Sequence, residues 1–160
     1  MQHCFPPVTR PDTRLLLLGS LPGAMSLAEQ RYYANPRNQF WRLTGAVIGA
    51  DLQSLPYSER LEALLEAGIG LWDTVAAATR NGSLDQDIRL HEASDLAGLA
   101  ARLPKLRAVG FNGGKSAAIG RPQLANRAGL ALIALPSSSP ALTLPFEAKR
   151  ERWIALRDFL

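Results

Sequence analysis

Four leucines in a row, Leu15 to Leu18, stand between Arg14 and Gly19. So short an unbroken apolar run, closed by glycine, predicts a strand buried on both faces, as in a parallel sheet. Three later runs read the same way: Ile69 to Trp72, Leu106 to Phe111 and Leu130 to Leu135. Each strand ends in polar or turn-forming company: Gly19-Ser20-Leu21-Pro22-Gly23, then Asp73, then Asn112-Gly113-Gly114, then Pro136-Ser137-Ser138-Ser139-Pro140. Between these runs the apolar positions shift to helical spacing. Ser26 to Tyr33 predicts a short helical piece, and Asn38 precedes Phe40, Trp41, Leu43, Val47 and Ile48 at roughly that spacing. After a break from Asp51 to Pro56, Ser58 to Ala67 predicts an amphipathic helix with Ser58 as N-cap and Gly68 as its stop. Ser94 caps a helix through Leu103 that Pro104 ends, and another starts near Lys115. Phe146 to Leu160 closes the chain, with Trp153, Leu156 and Leu160 on one face. Residues 1–13 form a proline-bearing lead-in, and Thr79 to Asp87 reads as a loop.

This alternation predicts an α/β fold: one domain over residues 1–160, a three-layer αβα sandwich around a parallel sheet of about four strands. In such sheets ligands bind beyond the carboxyl ends of the strands, so the four polar loops should meet in one site.

Composition narrows the picture only a little. The chain is 47% apolar and 20% charged, which excludes general disorder. Eighteen basic against fourteen acidic side chains give +4, which permits a nucleic-acid partner without requiring one. A single cysteine, Cys4, excludes a disulfide framework and a cysteine metal cluster. His3 and His91 lie far from any metal-ligand spacing, so no metal and no cofactor are expected. No apolar run approaches the roughly 18 residues of a membrane span, and the first residues lack a signal-peptide core. A soluble, cytoplasmic monomer is the expectation.

Two glycines around a proline, Gly19 to Gly23, allow a tight turn whose backbone N–H groups face a ligand. Paired aromatics, Tyr32 and Tyr33, follow, and then Asn35-Pro36-Arg37-Asn38-Gln39-Phe40-Trp41. Asn38 reads as an N-cap for the helix that follows. Tyr33 reads as a core ring. Asp73 reads as a turn aspartate or a group aimed into the site, and Asn112 as a left-handed turn residue or a polar contact. Gly110-Phe111-Asn112-Gly113-Gly114-Lys115-Ser116 ends like a P-loop, but Gly110 and Gly114 enclose three residues where that motif needs four, and no Walker B strand follows.

The pattern GSLPG followed by YYANPRNQFW, with GLWDTVAAATRNGSLDQDI at 70–88, FNGGKSA at 111–117 and LPSSSPA at 135–141, resembles the uracil-DNA glycosylase superfamily. The similarity is nearest to its hypoxanthine-DNA glycosylase branch. The resemblance implies a base-excision repair enzyme that flips a deaminated base out of DNA and hydrolyses its N-glycosidic bond. It implies Asn38 as the catalytic residue and Tyr33 as the ring on which the flipped base stacks. Gly19, Ser20, Leu21, Pro22, Gly23, Asp73 and Asn112 would line the base pocket. Arg37, Lys115, Ser137, Ser138 and Ser139 would contact the DNA backbone, with Leu142 as the wedge into the duplex.

Uracil-cleaving relatives place Asn, Asp or Glu in the first turn, where Ser20-Leu21-Pro22 stand here; this favours hypoxanthine. The fastest uracil enzymes also carry a histidine where Leu135 opens the last loop, so modest turnover is expected. No lysine matches a Schiff-base position, so the enzyme would be monofunctional and leave an abasic site. Uracil or xanthine as the substrate is the alternative within the fold. A non-catalytic nucleic-acid-binding domain is the alternative of another class.

Overall fold

The computed structural model describes residues 2–3, 5–80 and 88–160. Its centre is a four-stranded, wholly parallel sheet built from β2 (Leu15–Gly19), β3 (Ile69–Asp73), β6 (Ala108–Asn112) and β7 (Ala131–Leu135). The strand order is β3-β2-β6-β7. Leu15 is level with Ile69 and Ala108, and Gly19 with Asp73, so the strands finish together as their apolar runs predict.

Alternation along β2 divides the core. Leu15 and Leu17 face one cluster and Leu16 and Leu18 the other, all at most 1% exposed. The first cluster is completed by α2 (Phe40–Ile48), α3 (Tyr57–Glu66) and α6 (Phe146–Ile154), the second by α4 (Leu96–Ala101) and α5 (Gly114–Leu124). Burying one leucine side chain contributes about 1.5–3 kcal/mol, so four on one strand make β2 the natural centre of the sandwich. The three-layer α/β expectation holds.

Several helix limits differ from the sequence pattern. The first short helix, α1 (Ala24–Glu29), ends at Gln30, whose φ of 56° is left-handed, and leaves Tyr32 and Tyr33 outside it. Pro56, not Ser58, precedes α3, because proline fits a helix entry where no N–H is needed. Asp95 rather than Ser94 caps α4, its Oδ1 accepting the Gly98 N–H at 3.0 Å, while Ser94 is buried. The closing helix tightens into a 3-10 turn over Ala155–Phe159.

A second sheet, antiparallel and ordered β1-β4-β5, joins β1 (Gln2–His3), β4 (Val75–Arg80) and β5 (Ile88–Ala93). The expected loop overlaps it only at Thr79 and Arg80, the end of β4: that strand is rich in alanine and carries little strand propensity of its own, so cross-strand pairing sets it. Residues 81–87 of that expected loop lie outside the described residues. The proline-bearing lead-in runs along the outer edge of the main sheet, where Val8 exchanges two 2.9 Å bonds with Leu71. That contact covers part of an otherwise open edge. Among the described residues no helix is long and apolar enough to cross a membrane.

Candidate active site

Beyond the carboxyl ends of β2, β3 and β6 lies a cavity of about 460 Å³. The turn after β2 supplies Gly19 to Gly23, β3 supplies Asp73, and β6 supplies Asn112. Tyr33 and Asn38 come from the segment before α2, and Ser137, Ser138, Ser139 and Leu142 from the loop after β7. Segments far apart in sequence thus converge because three strands stop at the same level.

Glycine is required at position 19 by close approach. A Cβ there would sit 2.6 Å from Asp73 Oδ1 and 2.8 Å from the Tyr33 hydroxyl. The turn is then tied to the end of β3: Thr74 N–H donates to the Gly19 carbonyl at 2.8 Å and Val75 N–H to Ser20 at 3.0 Å. Leu21 packs on Val75 and Ile119, so it anchors the turn while also bordering the cavity. Asp73 is 3% exposed, a carboxylate set into the pocket floor.

Asn35-Pro36-Arg37-Asn38 forms a turn that the sequence favours, with asparagine first and proline second. Asn38 N–H closes it onto the Asn35 carbonyl at 2.9 Å, and Asn35 Oδ1 accepts the Arg37 N–H at 2.9 Å. The turn delivers Asn38 to the start of α2, where its Oδ1 accepts the Phe40 N–H at 3.0 Å. The side chain thus holds the helix start while lining the cavity. The oxygen is held by the helix start, which fixes the amide's rotation and turns Nδ2 away from that bond. Among the described residues Nδ2 has no hydrogen-bond partner in the protein, and Asn38 lines the cavity.

Tyr33 has a φ of 52°, a backbone state that a bulky side chain rarely adopts. Its carbonyl accepts the Trp41 Nε1–H at 3.1 Å, and its ring stacks on Phe40 with centroids 3.8 Å apart and planes 14° from parallel. Backbone strain held in place by surrounding packing is concentrated at functional sites. Tyr32 is mainly structural: it is buried, meets Phe5 edge to face, and donates its hydroxyl to the Pro6 carbonyl at 3.0 Å.

Asn112 borders the cavity, but its amide is engaged. Nδ2 donates to Ser138 Oγ at 2.8 Å and to the Tyr33 hydroxyl at 3.3 Å, while Oδ1 accepts the Ser138 N–H at 2.8 Å. It braces the stacking ring against the serine loop. Ser138 is 1% exposed, and its hydroxyl serves this brace. Ser137 and Ser139 are half-buried, each accepting a bond at 3.1 Å from the backbone two residues ahead and keeping a hydroxyl proton to donate. Leu142 is 40% exposed at the cavity mouth.

Arg37 is exposed and Lys115 half-buried, and neither lines the cavity. Ser116, which completes the P-loop-like GKS, is fully buried and donates to the Leu18 carbonyl at 2.7 Å. It ties α5 to β2, a structural use. Met25, Ser26, Asn35, Pro140 and Ala141 also line the cavity and were not singled out by the sequence. Met25, 43% exposed, faces water as a large apolar side chain at a cavity rim; only the fold places it there. Among the described residues no group of His, Cys, Asp and Glu is arranged to hold a metal.

Comparisons with known proteins agree with this architecture. The sequence profile of the Uracil DNA glycosylase superfamily matches residues 6–159. A hypoxanthine DNA glycosylase of Methanosarcina acetivorans is 41% identical over 152 residues, 95% of each chain. One from Methanosarcina barkeri is 48% identical over 112 residues, covering 70% of this chain and 71% of that protein. The solution NMR structure of a candidate uracil DNA glycosylase from Methanosarcina acetivorans superposes with a TM-score of 0.88. It has 40% sequence identity and covers 99% of this chain and 98% of that one. With the profile match and these identities spanning nearly its whole length, the chain belongs to the uracil DNA glycosylase superfamily.

Proposed function

We propose that this chain, acting as a single domain and a monomer, is a monofunctional DNA glycosylase that hydrolyses the N-glycosidic bond of deoxyinosine in DNA. The observation that carries the reading is the anchored amide of Asn38 at the cavity wall, with Nδ2 left for a ligand. The name shared by the two Methanosarcina relatives supports hypoxanthine as the base. In the reaction, water adds its hydroxyl to the sugar carbon as the C–N bond breaks, and its other proton goes to the departing base. Free hypoxanthine and an abasic site result.

Each group then has a defined task. The extruded base stacks on Tyr33, an interaction worth about 1–3 kcal/mol for a nucleobase on an aromatic ring. Phe40 stiffens that platform from behind. Asp73 accepts hypoxanthine N1–H through a side-chain oxygen; adenine has a lone pair at that position and no proton to donate. Donors for O6 come from backbone N–H groups of the Gly19–Gly23 turn. Asn38 Nδ2 donates to the base as negative charge develops on it, stabilisation of the kind that mutagenesis values at about 10²–10³ in rate for one preorganised donor. An amide cannot deprotonate water, which fits the modest turnover expected without a histidine at Leu135. Leu142 and Met25 hold the duplex open at the rim, and Ser137, Ser139, Arg37 and Lys115 contact phosphates. None of the three lysines, Lys105, Lys115 and Lys149, lines the cavity, which supports hydrolysis without strand cleavage.

Uracil is the second reading, because its N3–H would also suit Asp73. Incubating the protein with duplexes carrying one deoxyinosine, deoxyuridine or deoxyxanthosine, followed by alkali, separates the two. Alkali-dependent cleavage at deoxyinosine above the others is expected. Release of uracil alone would overturn the base assignment, and release from none of them would overturn the catalytic reading for these substrates.

A further inference from the structure

Behind the serine loop lies a lysine that the proposed chemistry does not use. Lys149, on α6, is 0% exposed, and no carboxylate lies within ion-pairing distance of it among the described residues. Burial pushes its pKa below the ordinary lysine value. A desolvated cation without a counter-ion costs stability, and an apolar side chain of similar volume would fill the same space at no such cost. What the ammonium does in return is visible in its two acceptors. Nζ donates to Gln39 Oε1 at 2.8 Å and to the Ser139 carbonyl at 3.1 Å.

Those acceptors belong to the two halves of the site. Gln39 follows Asn38 directly and precedes α2, while Ser139 lies in the loop after β7. A third bond joins the same pair, from Gln39 N–H to the Ser138 carbonyl at 2.9 Å. Ser138 is in turn gripped by Asn112, and Asn112 by the Tyr33 hydroxyl. Pulling out the lysine would leave Gln39 Oε1 and the Ser139 carbonyl without this donor and loosen the register between Asn38 and the loop.

We infer that Lys149 is a positioning residue: its buried ammonium locks the Asn38-bearing turn to the serine loop, through Gln39 and Ser139, in the spacing catalysis needs. The inference deepens the glycosylase reading and rests on it for its kinetic consequences. Misplacing reacting groups by about 1 Å can cost on the order of 10²-fold in rate. A lysine kept only for packing would give the opposite signature, a loss of stability with normal turnover of the folded fraction.

The test compares native protein with Lys149→Met and Gln39→Leu, singly and together. We expect Lys149→Met to lose about 10–100-fold in single-turnover hypoxanthine release by its folded fraction. Its affinity for deoxyinosine duplex should change less than about 3-fold, a kcat loss without a matching KM loss. Gln39→Leu should lose less, and the double variant should be no worse than Lys149→Met, since both break one connection. Amide hydrogen exchange supplies a readout independent of activity: Gln39 N–H should lose protection in Lys149→Met while β2 and β6 keep theirs. Native turnover in Lys149→Met, or losses that add in the double variant, would overturn the inference. So would unchanged protection at Gln39. If Lys149→Met does not fold, a folded Gln39→Leu with native rate and native exchange overturns it too. Absence of any hypoxanthine release by the native protein would sink the glycosylase reading instead, and exchange would still decide the tie.

Discussion

Two segments that line the cavity and touch through the Gln39 N–H to Ser138 carbonyl bond both draw on polar residues and proline. In the segment before α2, the turn satisfies its own backbone and leaves Asn38 Nδ2 for a ligand. In the loop after β7, the polar groups are largely spent on the protein. Ser138 is bonded on three sides, to Asn112 and to Gln39, and Ser137 and Ser139 accept bonds from their own loop. Similar composition thus leaves an amide nitrogen unengaged by the described residues in one segment and ties up the buried serine in the other. The difference lies in where each hydrogen bond goes, which residue type alone does not show.

The contrast can be broken most directly on the chemical side. Asn38→Ala removes the amide proposed as catalytic and should cut hypoxanthine release by about 10²–10³-fold, while loss of its bond to the Phe40 N–H costs about 1 kcal/mol of stability. Gly19→Ala should come next. Its methyl cannot coexist with Asp73 Oδ1 at 2.6 Å and the Tyr33 hydroxyl at 2.8 Å, so both must move. A loss on the order of 10²-fold is expected from such displacement, read as initial rate on a deoxyinosine duplex.

Tyr33→Ala should remove the stacking platform and cost about 1–3 kcal/mol, or roughly 5–150-fold, in binding of the extruded base. Tyr33→Phe keeps the ring and loses the hydroxyl with its contacts, that to Asn112 among them, so it should cost less. Equal losses in the two variants would mean that the hydroxyl, not the ring face, is what matters. Met25→Ala and Leu142→Ala should weaken release several-fold from duplex and leave single-stranded deoxyinosine nearly unaffected, because a wedge only matters where a stack must be opened. Comparable losses on both substrates would remove the wedge role.

The smallest effect is a pH slope on the scaffold side. Lys149 holds its proton less tightly folded than unfolded, where its pKa is the ordinary 10.5. Between the lowered folded value and 10.5, unfolding therefore takes up a proton, and stability rises with pH through that window. Denaturant curves of Lys149→Met should lack this contribution, so any advantage of the variant over native should shrink as pH climbs toward 10.5.

The central sheet was legible because Leu15 to Leu18 and its three companion runs are too apolar and too short to be anything else. The cavity at the strand ends followed from topology, and the roles proposed for Asn38 and Tyr33 came from motif resemblance. The antiparallel ribbon was not legible, since β4 owes its form to partners and not to its alanines. Asp95, not Ser94, became the helix cap because Ser94 is drawn into the core, and burial depends on the finished fold. Lys149 was passed over for the same reason: on the helical pattern it is one more charged position, and only the packing of α6 beneath the loop makes it a buried tie.

The most direct measurement is single-turnover release of free hypoxanthine from a deoxyinosine duplex by native protein and by Asn38→Ala, with duplex binding measured in parallel. The account predicts base release by the native protein, a loss of about 10²–10³-fold in the variant, and little change in binding. Native-like release by a folded Asn38→Ala protein would contradict it.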